Sequence, residues 1–214
     1  MTPGKTKKNS AKTSLQRLED GILWAGVDEA GRGCLAGPVC AAAVILPDRL
    51  PEELINGLND SKKLSEKVRY KLRPLIEQYA TSWAIGWASA REVDELNILQ
   101  ATFLSMHRAI DNLSIRPQML AIDGNRFKPC SQEIIHKCFV GGDARYYEIA
   151  AASILAKTYR DDYMMQIDLE YPDYQWAQNK GYPTLSHKKT IFSLGKTKYH
   201  RKSFNCAIQL NIFE

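Results

Sequence analysis

Four carboxylates at the ends of three apolar runs are the residues most able to do chemistry together. Residues 22–27 lead into Asp28-Glu29, residues 118–122 into Asp123-Gly124, and residues 137–140 into Gly141-Gly142-Asp143. Acids at the end of buried strands are costly unless donors or a cation satisfy them. Hard oxygen donors, with no His or Cys pair at ligand spacing, suit Mg²⁺ or Mn²⁺ rather than zinc. Two such ions about 4 Å apart would hold an in-line phosphoryl displacement. Gly31, Arg32 and Gly33 follow the first acid pair at once. Glycine lets a backbone come close to a ligand, and the arginine fork matches phosphate. The pattern predicts a metal site beside a phosphate-bearing substrate. Neighbouring strand residues point to opposite faces, so Asp28 and Glu29 share a site only if the chain bends or Glu29 reaches round from the edge. An Asp at a strand end is often only a turn residue. Asp123 alone reads that way; the three strand ends together read as a site.

The elements that must carry these acids follow from hydrophobic periodicity. Strands are predicted over 23–27, 38–46, 81–89, 118–122 and 137–140. Ser65 caps a predicted helix running to residue 79, with Glu66 in its positive first turn. Helical spacing covers 92–112, with Leu96, Leu99, Phe103, Met106 and Ile110 on one stripe. The longest predicted helix spans 147–169, its start kept slim by Ala150, Ala151, Ala152, Ser153 and Ala156, its end set by Tyr171-Pro172. A last helix covers 186–193. Strands first, then strands alternating with helices, predict an α/β fold with a mixed central sheet flanked by helices. In open α/β sheets the ligand crevice lies at the strand ends. Glu148, Asp161 and Asp162 read as salt-bridge partners, Asp161 being placed to orient Arg160.

The chain has 214 residues and a net charge of +5, and the excess is local. Residues 1–17 hold Lys5, Lys7, Lys8, Lys12 and Arg17 and no acid, which leaves the rest of the chain balanced. This reads as a basic, disordered leader, either a solubilising tail or a nucleic-acid-binding arm. From 180 to 213 there is no Asp or Glu, while Lys180, Lys188, Lys189, Lys196, Lys198, Arg201 and Lys202 fall there. A one-signed face attracts polyanions. Lys62 and Lys63, Lys157, Arg160, Lys180, Arg201 and Lys202 are candidates to hold backbone phosphates, contacts that position a duplex without reading its sequence. No run of 18 apolar residues exists, so no membrane span or membrane partner is expected. Five cysteines without CxxC spacing read as reduced thiols of a cytoplasmic protein. A monomer is expected.

Several segments carry a resemblance: residues 26–33 (Gly-Val-Asp-Glu-Ala-Gly-Arg-Gly), 59–65 (Asn-Asp-Ser-Lys-Lys-Leu-Ser), 94–99 (Asp-Glu-Leu-Asn-Ile-Leu) and 122–125 (Ile-Asp-Gly-Asn). Gly142-Asp143, residues 150–157, Lys180-Gly181-Tyr182-Pro183-Thr184 and Ser203-Phe204 extend it. Colinear from 22 to 205, the chain resembles the bacterial ribonuclease HII family, the type 2 ribonucleases H. The resemblance implies a ribonuclease H-like fold with a small C-terminal helical part from about residue 172. It implies an endonuclease cutting the RNA strand of RNA–DNA hybrids and single ribonucleotides embedded in duplex DNA. Asp28, Glu29, Asp123 and Asp143 would be its metal ligands. Gly31, Arg32 and Gly33 would read the 2′-hydroxyl largely through backbone atoms, and Tyr182 would stack on the sugar. The 2′-hydroxyl is the one group separating RNA from DNA at a given position. Hydrolysis is expected on the 5′ side of the ribonucleotide, leaving 3′-hydroxyl and 5′-phosphate ends. Two departures stand out: Gly141 where many relatives have Lys, and Lys202 where many have a second Arg. Type 3 enzymes lack the Gly-Arg-Gly arrangement. A DNA-specific nuclease of the same fold and a non-catalytic hybrid-binding module are the alternatives. Outside the domain, Gln209, Leu210, Ile212 and Phe213 in the 206–214 tail resemble a peptide that docks on the bacterial sliding clamp; packing on its own domain is the alternative.

Overall fold

The computed structural model describes residues 15–58, 64–129 and 133–207. Lys62, Lys63 and the peptide from Gln209 to Phe213 lie outside these residues, as does the leader before Leu15. At the centre is β1 (Trp24–Ala30). On one side β2 (Val39–Ile45) pairs antiparallel with it, Gly26 opposite Val44, and β3 (Ser82–Ala88) pairs antiparallel with β2. On the other side β4 (Met119–Asp123) and β5 (Ile135–Phe139) run parallel to it. The order β3-β2-β1-β4-β5 is the mixed sheet that the alternation of elements predicted.

Among the described residues there are seven helices, α1 (Glu52–Gly57), α2 (Glu66–Tyr79), α3 (Ala90–Leu96), α4 (Ile98–Asp111), α5 (Tyr147–Asp168), α6 (Trp176–Asn179) and α7 (Leu185–Leu194), the last two in the C-terminal part. On one face, Ala42 and Val44 of β2 meet Ala150, Ala151, Ile154 and Leu155 of α5, with Leu54, Leu72 and Ile76 behind them. On the other, Ala25, Val27, Ala43 and Ile45 meet Met106, Ala109 and Ile110 of α4. Both faces of the central strands are therefore apolar, as in α/β folds whose sheet is covered twice. Glycines set how close the two helices come. A Cβ on Gly26 would lie 2.2 Å from the backbone carbonyl carbon of Glu148 in α5, and one on Gly86 would lie 2.0 Å from Ser105 O in α4. The small residues of α5 matter for the same reason.

Three sequence expectations need correction. The continuous helix over 92–112 is two helices. Asn97 takes the left-handed φ of 68° between them, and its side chain accepts from the Leu99 and Gln100 N–H groups. With ψ at 164° this is a conformation costly for any residue but glycine, offset here by the two cap bonds, and the apolar stripe continues across a break that periodicity cannot register. The short α1 was not foreseen. Residues 15–17, read as leader, belong to the domain: Leu15 and Leu18 are buried, Gln16 bridges to Tyr146, and Arg17 meets Glu148 at 3.2 Å. Among the described residues no helix is long and apolar enough to cross a membrane.

The C-terminal part is helical and has its own small core. Tyr174, Trp176 and Ile191 pack on Met164 and Ile167, at the far end of α5, and on Leu35 and Ala36 of the β1–β2 connection.

Candidate active site

Parallel pairing of β1 with β4 puts Val27 opposite Ile122, so the next residues, Asp28 and Asp123, lie side by side, Asp123 as the last residue of β4 and Asp28 two residues before the end of β1. A cleft of about 260 Å³ opens there, lined by Asp28, Glu29, residues 31–33 and Asp123, and by Arg69, Ser153, Lys157 and Tyr182. β1 runs unbroken through Asp28, Glu29 and Ala30. Alternation therefore holds, and no bend is needed: the cleft lies off the end of the strand, where side chains from both faces reach it. Asp28 is buried on the α5 face, and Glu29 is tied on the open side by Arg32 Nη1 to Oε1 at 3.1 Å.

Burial pushes the Asp28 carboxyl well up, and the charges of Glu29 and then Asp123 push it further; hydrogen bonds from Ser153 and from the Glu29 N–H, at 2.7 Å, pull the other way. Asp143 arrives differently. Gly141 takes a left-handed φ of 64°, turning the chain after β5 into a 3₁₀ turn, Gly142–Ala144, that buries Asp143. This conformation accounts for glycine at 141, where sequence reading saw a lost cation. The Gly142 N–H donates to Asp123 Oδ1 at 2.7 Å, so the turn is fastened to the neighbouring acid. Asp143 follows that fastened glycine, buried and not among the residues that line the cleft.

The donor set fits a hard divalent cation: oxygen donors only, partly buried, with mutual repulsion that a cation would relieve. Among the described residues no three His, Cys, Asp or Glu side chains already surround one point as ligands. Ligation by Glu29 would exchange its ion pair with Arg32.

Three expected phosphate contacts need correction. Arg160 is fully buried and donates to the backbone carbonyls of Ala36, Pro38 and Lys180 at 2.8–3.0 Å. Arg201 is likewise buried and donates to the Gly31, Arg32 and Gly37 carbonyls at 2.7–3.1 Å. Burial and the nearby Arg160 charge lower Arg201 to about 10, so it stays protonated at neutral pH. Lys180 is 8% exposed, and its ammonium donates to Ala177 O. The close approach that Gly31 permits, at a φ of +95°, is taken by Arg160: a Cβ there would lie 1.9 Å from Nε. Gly33 has nothing within 4 Å of its Cβ position. The one-signed face is also partly spent, since Lys196 donates to three carbonyls and Lys198 pairs with Glu170 at 2.7 Å. Lys157 does line the cleft, but it pairs with the buried Asp161 at 2.6 Å, and its ammonium sits 5.7 Å from the Tyr182 ring centroid. Asp161 therefore orients Lys157, not Arg160.

Sequence reading missed two cleft residues. Ser153 left a faint signal, as a hydroxyl within an alanine run. Arg69, which donates to Leu64 O, left none.

Beneath Tyr182 lies a buried polar cluster. His187 Nδ1 donates to Tyr182 O at 2.9 Å, while its Nε2 accepts from Trp176 Nε1 at 3.1 Å and faces His200 Nε2 at 3.2 Å. His200 Nδ1 accepts the Thr197 N–H, which leaves Nε2 as its donor. Both rings are thereby fixed neutral. Burial lowers His187 and takes His200 from the usual 6.5 to about 4. A depressed folded-state pKa gives stability that is present above pH 6.5 and is lost as pH falls toward 4. Asp28 and Glu148, both raised, work in the opposite sense, so the cluster is isolated by comparison. His200→Gln should lose less unfolding free energy than the parent between pH 7 and pH 4.5, by an amount on the order of 1–2 kcal/mol, and so show a smaller drop in melting temperature. Parallel melting curves would contradict it.

With this geometry in place, the comparisons are specific. A sequence model of the Ribonuclease HII family matches residues 25–207. A ribonuclease HII of Parabacteroides distasonis is 60% identical over 190 residues, 89% of this chain and 94% of that one. That of Bacteroides thetaiotaomicron is 58% identical over 191 residues, with the same two coverages. Among solved structures, ribonuclease H2 of Pyrococcus horikoshii superposes with a TM-score of 0.72 at 24% identity, over 86% of this chain and 95% of that one. A PCNA:RNase HII complex of Archaeoglobus fulgidus gives 0.72 at 25%, over 89% and 98%. A Bst-RNase HIII in complex with Mn²⁺ gives 0.66 at 18%, over 81% and 63%. The sheet is that of a ribonuclease H-like fold, and the chain belongs to the ribonuclease HII family.

Proposed function

We propose that the cleft at the ends of β1 and β4 is where this chain hydrolyses a ribonucleotide-bearing strand, with Asp28, Glu29, Asp123 and Asp143 holding one or two Mg²⁺ or Mn²⁺ ions. As a member of its family the chain is a metal-dependent ribonuclease H, a hydrolase acting on the RNA of RNA–DNA hybrids. The observation that carries the finer reading is the meeting of Asp28 and Asp123, far apart in sequence, in the cleft that also holds residues 31–33 and Tyr182. Divalent cations bound there would activate water and offset charge on the departing 3′ oxygen. The protein groups do the rest. Arg201 occupies the Gly31 and Arg32 carbonyls, so this backbone meets a ribose with its N–H side. Tyr182 is 41% exposed and offers a ring to the sugar. Lys157 and Arg69 bring positive charge to the cleft for the phosphates.

The test is a DNA duplex with one ribonucleotide, beside the all-deoxy duplex, in Mg²⁺ or Mn²⁺. The reading expects a cut 5′ of the ribonucleotide with 3′-hydroxyl and 5′-phosphate ends, and no cut without the ribose. Equal cutting of both duplexes would favour a DNA nuclease, and no cutting with tight binding a non-catalytic module. Gly33→Ala probes the close approach. With space for its methyl, stability should change by less than ~0.5 kcal/mol, while cleavage at the ribonucleotide should fall roughly 10²-fold. Unchanged cleavage would remove residue 33 from the reading.

A sliding clamp as partner of Gln209, Leu210, Ile212 and Phe213 remains a separate proposal. It is supported by the spacing of apolar anchors at the chain end and by the complex named above for the Archaeoglobus relative. Clamp capture should be lost on deleting the last six residues; retained capture would refute it.

A further inference from the structure

The two buried arginines that sequence reading assigned to phosphate do something else. Among the described residues their six hydrogen bonds all end on backbone carbonyls: two belong to Gly31 and Arg32, and the other four, of Ala36, Gly37, Pro38 and Lys180, lie in the chain close to the two segments read above as holding the ribose. Arg201 grips Gly31 and Arg32, then Gly37 further along the same connection. Arg160 lies against Gly31 from below and joins Ala36 and Pro38 of that connection to Lys180, two residues before Tyr182. Backbone bonds close the same seam: the Leu35 N–H donates to Gly181 O, and the Arg201 N–H to Leu35 O. Arg201 is held in turn. Asp94 accepts from the Lys202 and Ser203 N–H groups and from the Ser203 hydroxyl, and the Phe204 ring centroid lies 5.0 Å from the guanidinium. Two motifs that the cleft does not use, around Asp94 and at Ser203-Phe204, thereby find a role.

We propose that Arg160 and Arg201 form a paired clamp that sets the Gly31–Gly33 backbone against Tyr182, making Arg201 a specificity-determining positioning residue for ribose. The clamp rests on the reading above that residues 31–33 and Tyr182 recognise the sugar. Carbonyl-saturating guanidinium forks suit the task, because one planar group satisfies several acceptors at fixed angles. A lysine keeps the charge but not the fork.

The test compares affinities for the single-ribonucleotide duplex and the all-deoxy duplex, in an Asp28→Asn background so that nothing is cut. Adding Arg201→Lys should leave affinity for the all-deoxy duplex within about twofold and reduce the preference for the ribonucleotide about tenfold, as expected for losing charge-assisted hydrogen bonds. An intact preference would overturn the clamp. So would equal loss of both affinities, which would mark a plain phosphate contact or general loosening. If Arg201→Lys does not fold, Asp94→Asn decides. It loosens the turn after Arg201 while removing none of the carbonyl acceptors of either arginine, and should lower the same ratio several-fold; an unchanged ratio overturns the proposal. Absence of any preference with Arg201 in place would instead refute ribose reading by this cleft, and the clamp's purpose with it.

Discussion

Asp28→Asn should reduce cleavage of an RNA–DNA hybrid by at least ~10³-fold, on the scale of losing a preorganised electrostatic group at a reaction centre, while the fold is kept. Asparagine has the same shape and still offers an oxygen to the Glu29 N–H and to Ser153. It removes a charge that burial, Glu29 and Asp123 all oppose. The sign for stability follows. A carboxyl raised in the folded state costs stability once pH exceeds its unfolded value, so at pH 7 without divalent ions the variant should melt higher than the parent. About 2–4 °C is expected for each kcal/mol relieved in a chain of this size. Added Mg²⁺ or Mn²⁺ should then raise the melting temperature of the parent more than that of the variant. A variant that is inactive because it is unfolded, or one that is fully active, would sink the assignment of Asp28.

Gly26→Ala is the largest expected effect on stability. Its methyl would lie 2.2–2.5 Å from the Glu148 and Ile149 backbone. These atoms belong to α5, which covers the centre of the sheet, and no flexible side-chain end is there to move aside. Helix and strand must separate, at about 3 kcal/mol or more, and the carboxylates at the strand end go with them. Denaturant unfolding of Gly26→Ala beside Gly33→Ala measures this: a large loss in the first and almost none in the second. A loss below ~1 kcal/mol at Gly26 would mean that α5 sits farther from β1 than described.

The architecture was legible because its signals are local. Apolar runs placed five strands, Ser65 does accept the Val68 N–H as the cap of α2, and alanines marked the helix that must lie close. Gathering of the acids was legible in part. Parallel neighbours bring Asp28 to Asp123, but Asp143 depends on a left-handed turn at Gly141 that composition alone does not announce. What could not be read was the fate of positive charge. Lys180 and Arg201 look like surface cations in a basic segment, and Arg160 like one on a helix, yet all three lie inward on carbonyls; two of the three that Arg160 reaches are 122 and 124 residues away, and those of Arg201 are 164 to 170 away. No sequence window spans such a pairing. The helix over 92–112 failed for the opposite reason: its stripe persists across Asn97, whose φ of 68° breaks the backbone and not the pattern.

The proposed metal site draws acids from separate strands, and Asp143, on the turn after β5, is the one outside the cleft lining. The direct measurement is the rate of hybrid cleavage against Mn²⁺ concentration for the parent chain and for Asp143→Asn, beside Mn²⁺ binding to each. Shared ligation predicts that the variant binds Mn²⁺ more weakly and cuts at least ~10²-fold more slowly at saturating metal. Equal binding and equal rate would contradict it.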